Sequence, residues 1–355
     1  MGVLESMGEG RGDPKDPMDK GTMDKKERTA GDEAKDRDML MSRFCGCLIG
    51  LAAGDAIGAP LEFMTEQQIR KRFGFVERMI GGGWLNLKPG EYTDDTAMAL
   101  CIVRSALEMG RIDPEDIARK FLEWYLSDPP DIGNTTRFAL HKLSEGARWD
   151  QAGDAAYRMF RERSASNGSL MRTAPISLID TGSPERIKND SRAVSRITHA
   201  HPRCIASCIA YNLLIDVVLK GVSKEEIGSS WLKMIAKEVE DVDRATADVL
   251  KEVAGMAEEK LGFTGYVLHT LASSIYAFLH TQSFKECVLW LVNKGGDADT
   301  SGAVAGALAG AYYGIEGIPP EWIKALDVNR ATSNTIINYA SRLYEMFANA
   351  RSAGR

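Results

Sequence analysis

Five things are missing or scarce in this 355-residue chain. Its six cysteines, Cys45, Cys47, Cys101, Cys204, Cys208 and Cys287, form no C-x-x-C pair. Neither a cysteine zinc site nor a disulfide framework is signalled, and buried free thiols in a reducing compartment are expected. Basic charge is not in excess: the formal charge is −6, which argues against general nucleic-acid binding. A basic-then-apolar leader is absent at the amino terminus, so no secretory signal is expected and a cytoplasmic location is. The start Met1-Gly2-Val3-Leu4-Glu5-Ser6 matches the loose myristoylation pattern, a short string that matches often by chance. The longest apolar stretch, Ala303 to Tyr313, is Gly-rich and too short for a bilayer, so no membrane partner is expected. Finally, no period-two strand pattern stands out.

What is present is helical periodicity. Residues 1–38 stand apart, with 11 acidic and 8 basic residues and neither an aromatic nor an isoleucine. Such a segment cannot bury enough apolar surface to offset its ordering entropy, and a disordered charged tail is expected. From Met39 onward apolar residues recur at helical spacing. Asp113-Pro114 reads as an N-cap followed by an N1 proline, with Ile117, Phe121 and Trp124 on one face. Ser223 and Glu226 read as a capping box, and Ser283 and Glu286 as another, whose helix should stop at Gly295-Gly296. Pro320 opens a further helix, and Ile336, Leu343 and Phe347 mark a last one. The expected fold is all-α, a single compact multi-helix domain over 39–355.

Two glycine ladders interrupt this ordinary pattern. Gly46, Gly50, Gly54 and Gly58 recur every four residues, and so do Gly302, Gly306, Gly310 and Gly314. Each interior glycine costs a helix about 1 kcal/mol relative to alanine. Repeating that cost along one ridge predicts buried helices in tight contact with neighbours.

Two acidic motifs carry the chemistry. Thr93-Asp94-Asp95-Thr96 precedes an apolar helix, and Asp297-Ala298-Asp299-Thr300 lies between Gly295-Gly296 and the second ladder. Taken singly, each reads best as a helix cap. One cap leaves the second carboxylate of each pair unexplained. Four carboxylates without a Lys or Arg close by in sequence would repel one another unless a hard divalent cation lay between them. All the donors are oxygens, which suits Mg²⁺ or Mn²⁺ better than zinc or copper. An EF-hand reading of the second motif fails, because position twelve is Leu308 rather than a bidentate Glu. A phosphatase D-x-D motif follows a buried strand, whereas the segment upstream of Asp297 is helical. His199 and His201 lack a partner cluster, and a helical setting would turn the two imidazoles apart.

Four stretches, taken in order, resemble the ADP-ribosylglycohydrolase family. They are Gly50-Leu51-Ala52-Ala53-Gly54-Asp55-Ala56-Ile57-Gly58-Ala59-Pro60-Leu61-Glu62-Phe63, Gly90-Glu91-Tyr92-Thr93-Asp94-Asp95-Thr96, Asn167-Gly168-Ser169-Leu170-Met171-Arg172 and Gly295-Gly296-Asp297-Ala298-Asp299-Thr300. The resemblance implies an all-α fold around two divalent cations, Mg²⁺ or Mn²⁺, held by Thr93, Asp94, Asp95, Asp297, Asp299 and Thr300. It implies cleavage at C1 of the distal ribose of an ADP-ribosylated acceptor, with arginine on a protein the leading candidate and ADP-ribose as product. A modified nucleic-acid acceptor stays open. Asp94, Asp95, Glu62 and Asp131 are the catalytic candidates by position. Asn167, Gly168, Ser169, His199, Gly265 and Tyr266 are candidates for the ADP-ribose pocket, with Tyr266 a possible base-stacking ring. On the residues alone Asp131 reads equally well as an N-cap, and Val267, Leu271 and Ile275 extend Tyr266 into a core stripe. The alternative from another class is a non-catalytic ADP-ribose-binding or structural relative of the same fold.

Overall fold

The computed structural model describes residues 30–353. Most of the 1–38 segment, with the myristoylation pattern, lies outside them. The chain divides into two units between Asp38 and Met39. The first helix runs Ala30–Gly58.

The fold is all-α. Among the described residues the extended pairings are isolated bridges: Thr65 with Gly295, Gly82 with Leu87, and Ser166 with Tyr266. The expected starts recur in the coordinates. Asp113 accepts from the Asp116 amide at the head of Pro114–Leu126. Ser223 and Glu226 make a complete capping box. Ser283 accepts from the Glu286 amide, but the Glu286 carboxylate turns to the Gln282 amide instead, so this box is half formed. That helix, Phe284–Val292, ends three residues before Gly295. The glycines do not stop it; with φ of +73° and +68° they shape the turn that leads into the second acidic motif.

The two glycine ladders pack on each other. A Cβ built on Gly54 would lie 1.9 Å from the Gly302 carbonyl oxygen, and one on Gly50 would lie 2.3 Å from that of Gly306. Gly46 meets Gly310 in the same way, and Gly58 meets Ala298. The pairing 46–310, 50–306, 54–302 and 58–298 runs antiparallel. Helix Ala30–Gly58 therefore lies backbone to backbone on helix Ala298–Tyr313. Only residues without a Cβ allow this approach. Both helices are enclosed, and nearly every residue from Phe44 to Leu61 and from Ala298 to Ala311 is buried.

Two segments, Ala34–Leu61 and Pro202–Leu219, are long and apolar enough to cross a membrane by length and composition, longer than the Ala303 to Tyr313 stretch. Their apolar windows are 100% and 89% buried inside the protein, as core helices are. All six cysteines are free and buried.

A methyl group in the seam has nowhere to go, since the clashing atoms are backbone. Gly54→Ala and Gly302→Ala should each destabilise the fold by at least about 3 kcal/mol. Gly255→Ala, where nothing lies within 4 Å, should leave the denaturation midpoint nearly unchanged. Urea denaturation followed by circular dichroism compares the three.

Candidate metal centre

The seam ends at the acidic site. Gly58 abuts the backbone of Ala298 and Asp299, so the last turn of the first helix lies against the first turn of the second. Asp55 points out of that last turn and is fully buried. Its carboxylate accepts from the Thr93 amide at 2.9 Å and the Thr93 hydroxyl at 3.0 Å. It also accepts from the Thr96 amide at 3.1 Å and the Thr96 hydroxyl at 2.6 Å. Asp55 thus caps helix Asp94–Met109 from a neighbouring helix. Thr93 sits at the N-cap position yet makes no side-chain cap bond of its own. The carboxylates of Asp94 and Asp95 are thereby released from capping. Asp55 joins the site residues that the motifs name; its signal in the sequence is an acid inside an apolar helix.

The two acidic motifs meet. Asp95 Oδ2 lies 3.4 Å from both the Thr93 and the Thr300 hydroxyls, which are 207 positions apart in the chain. Its other oxygen, Oδ1, is buried without a hydrogen-bond partner. Glu62, Asp131 and Asp299 each bring a carboxylate oxygen to within 4.8 Å of the others. Asp297 accepts from Asn167 Nδ2 at 2.9 Å, while the Asn167 amide donates to the Gly265 carbonyl. The backbone locks these loops together: the Phe63 amide donates to the Gly296 carbonyl, and the Gly296 amide to the Met64 carbonyl. Glu62 and Asp297 are therefore fixed in mutual register from opposite ends of the sequence.

A cavity of about 250 Å³ opens over these groups. Glu62, Asp94, Asp95, Asp131, Asp297, Asp299 and Thr300 line its acidic side, and Asn167, Gly168, His199 and Gly265 line another. Three candidates stand elsewhere. Thr93 lies behind the cavity wall, bonded to Asp55. Ser169 is buried and accepts from the Ser195 hydroxyl, so its side chain faces the core. Tyr266 packs edge-on against His269 and does not line the cavity. Asp131 does not cap: helix Asn134–Ser144 has Gly133 at its N-cap, and Asp131 turns to the cavity instead.

The electrostatics follow from burial. Desolvation holds Asp94, Asp95 and Asp299 well above the usual carboxylate range, and the neighbouring carboxylates add to it. Glu62 is pushed up to about 8, first by burial and then by Asp131, Asp297 and Asp55, against the hydrogen bond from Trp84. Asp55 rises to about 6 through burial, opposed by its bonds from Thr96 and Thr93. Asp131 is also raised, by burial and by Asp297.

A cation that the primary sequence keeps far away sits behind the acids. Arg172 is fully buried, its guanidinium 4.5 Å over the Phe121 ring and bonded to Met98 Sδ and Thr198 Oγ1. Burial lowers it to about 10, while Asp94 and Asp95 are among the charges that hold it up. The expectation of acids without a nearby basic residue is thus corrected in space. Thr198 Oγ1 accepts from Arg172 at 2.5 Å and pairs with His199 Nδ1 at 2.7 Å. His199 Nε2 pairs with Ser166 Oγ at 2.9 Å. Burial, Arg172 and His201 hold His199 well below its ordinary pKa, so it stays neutral. Gly168 lies beneath this ring, where a Cβ would be 2.8 Å from His199 Cε1.

A buried set of carboxylates and hydroxyls with an orphaned Asp95 oxygen matches the donor chemistry of a hard divalent ion. An all-helical protein with such an oxygen-donor cluster at the floor of a small cavity defines a class, that of helical proteins with an acidic site able to hold a metal ion. Within it, this chain belongs to the ADP-ribosylglycohydrolase family, whose model matches residues 36–353. It is 36% identical over 287 residues to the ADP-ribosyl-[dinitrogen reductase] glycohydrolase of Rhodospirillum rubrum, covering 81% of this chain and 90% of that protein. To the ADP-ribosylarginine hydrolase Tri1 of Serratia proteamaculans it is 33% identical, over 85% of this chain and 78% of the relative. Among solved structures, a chain of an ADP-ribosylglycohydrolase-related protein complex superimposes with a TM-score of 0.73 at 35% identity. That match covers 87% of this chain and 99% of the other. The protein is an ADP-ribosylglycohydrolase.

Two expectations test the centre. Asp55→Ala would strand four buried donors and should cost about 3 kcal/mol of stability, read by denaturation, together with metal affinity read by calorimetry. The second concerns pH in the metal-free protein. A carboxyl whose folded pKa exceeds its unfolded value binds more protons when folded. Its contribution is complete below the unfolded value and is lost as pH rises through the folded one. With Asp55 at about 6 and Glu62 at about 8 against ordinary values of 3.8 and 4.5, chelated protein should lose stability steadily between about pH 4 and pH 8. Saturating Mg²⁺ or Mn²⁺ should flatten that fall, and a melting curve insensitive to both pH and metal would refute the assignment.

Proposed function

We propose that this enzyme removes ADP-ribose from arginine side chains of a modified protein, with two divalent cations, Mg²⁺ or Mn²⁺, at the acidic centre. One observation carries the proposal: Asp95 stands between Thr93 and Thr300 with a buried oxygen left unpartnered, beside Asp299. Asp94, Asp95, Asp297, Asp299 and Thr300 would hold the ions, with Thr93 as a nearby hydroxyl donor. The relatives named for ADP-ribosylarginine and for ADP-ribosylated dinitrogen reductase support a modified protein as substrate. When bound, such ions act as Lewis acids, orient a ribose diol and activate water.

The protein's own groups supply the rest. Glu62 and Asp131 stand on the open side of the cluster, where a carboxylate can hold or pass a proton at the attacking water or the leaving nitrogen. His199, kept neutral by burial, pairs with Ser166, whose hydroxyl reaches Thr135 on the cavity wall. Asn167 ties that wall to Asp297. A second cavity of about 490 Å³ shares Asn134, Thr135 and Arg163 with the first and adds Arg137, Phe138 and Phe160. Two arginines and a pair of rings suit a diphosphate and a base, and they lie beside the first cavity rather than at Tyr266.

The test is an incubation with ADP-ribosylated arginine, serine and nucleic-acid substrates, with Mg²⁺ or Mn²⁺ and with chelator. Release of ADP-ribose from the arginine substrate, abolished by chelator, is the expected result. Asp299→Ala should lower kcat/KM at least roughly a hundredfold, since loss of a direct ligand exceeds the usual cost of losing a supporting one. Turnover that survives exhaustive chelation would overturn the metal reading, and cleavage of another linkage alone would overturn the acceptor.

A further inference from the structure

At the rim of the acidic cavity two aromatic rings stand in solvent with no core to fill. Phe63 is 71% exposed and Trp84 is 52% exposed. Their centroids lie 5.8 Å apart at an interplanar angle of 43°. They flank Glu62: Phe63 follows it in the chain, and the Trp84 indole N–H donates to Glu62 Oε2 at 2.6 Å. Leaving two large rings in water forgoes the stabilisation that burial would give.

The backbone is arranged to keep them there. Phe63 has φ of +63°, a strained conformation for a residue with a side chain, and its amide is pinned to the Gly296 carbonyl at 2.7 Å. Trp84 follows three consecutive glycines, Gly81, Gly82 and Gly83, with φ of +64°, +90° and +70°. Gly82 and Leu87 exchange both backbone hydrogen bonds, closing a tight loop around Trp84. Gly83 presses on Pro60, where a Cβ would be 2.9 Å from Cα. The loop is thus seated against the segment that carries Glu62. Both rings thus stand beside Glu62, a residue of the cavity wall.

We propose that Phe63 and Trp84 form the platform on which the guanidinium of the acceptor arginine rests as the ribose bond is cleaved. The occupant is set by the ring faces and by the group beside them: Trp84 holds Glu62, one of three carboxylates whose oxygens lie within 4.8 Å of one another. A planar cation also stacks favourably on Trp and Phe faces. The Trp84 indole holds Glu62 beside the same position. The rings act as specificity residues: they distinguish a cationic acceptor from a neutral one. This rests on the arginine reading of the function.

The experiment uses wild type, Trp84→Ala, Trp84→Phe and Phe63→Leu, saturated with Mn²⁺, on a peptide carrying ADP-ribosyl-arginine. Product inhibition by arginine amide is compared with inhibition by citrulline amide, its neutral isostere. Trp84→Ala and Phe63→Leu should lose roughly 5- to 30-fold in kcat/KM, mainly through KM. Wild type should bind arginine amide more tightly than citrulline amide, and the gap should close in those two variants. Trp84→Phe keeps a π face and should retain the gap. Affinity for free ADP-ribose and melting temperature should stay unchanged in all three. Wild-type turnover with an unaltered KM and an unaltered inhibitor gap in Trp84→Ala and Phe63→Leu would overturn the platform alone. Absence of wild-type turnover on the arginine peptide would overturn the acceptor reading and the platform with it.

Discussion

The backbone contact between helices Ala30–Gly58 and Ala298–Tyr313 is the constraint on which the rest depends. Glycine faces glycine at three successive contacts, and the seam runs out where Gly58 meets Ala298 and Asp299. Asp55, Glu62, Asp297, Asp299 and Thr300 all lie within a few residues of that end. The distance between the two helices therefore sets the distance between the two halves of the acidic cluster. Any larger residue in the seam would separate the helices and spread the carboxylates with them.

Concentrating acids in a dry place is unfavourable in itself. Several devices limit that cost. Asp55 is satisfied by two hydroxyls and two amides at the N-terminus of helix Asp94–Met109, where the helix dipole favours a negative charge. Arg172 supplies a buried positive charge from below. Raised carboxyl pKa values keep some protons in place until a cation arrives. The cluster is poised rather than relaxed: a cation that enters must displace those protons.

Much of this was legible in the residues, for identifiable reasons. Helix starts follow local rules, so Asp113, Ser223 and Pro320 mark them by chemistry alone. Glycines at every fourth position are costly enough that only a close approach explains them. The pairing of the two ladders with each other was not legible, because each is equally able to pack on any third helix. Asp55 is not legible as a site residue, since inside an apolar helix its partners lie 38 to 41 positions away. Nor is the burial of Arg172, because a long charged side chain normally lies at the surface. Ser169 and Tyr266 were placed with their motif neighbours, yet a turn sends adjacent side chains in different directions: Asn167 and Gly168 face the cavity, and Ser169 faces the core. Phe63 and Trp84 belong to no periodic stripe, and their pairing depends on positive φ angles that a sequence does not display.

The antiparallel seam also has a consequence for how the chain is made. The first ladder helix leaves the ribosome some 240 residues before its partner, since Gly58 must wait for Ala298 and Gly46 for Gly310. At about 5–20 residues per second that is a wait of roughly ten to fifty seconds. For that interval the glycine ridge of an apolar helix, notched to receive another backbone, lacks the surface that covers it. The closing of the seam is therefore a late event in synthesis, and it joins the two halves of the acidic cluster in one step.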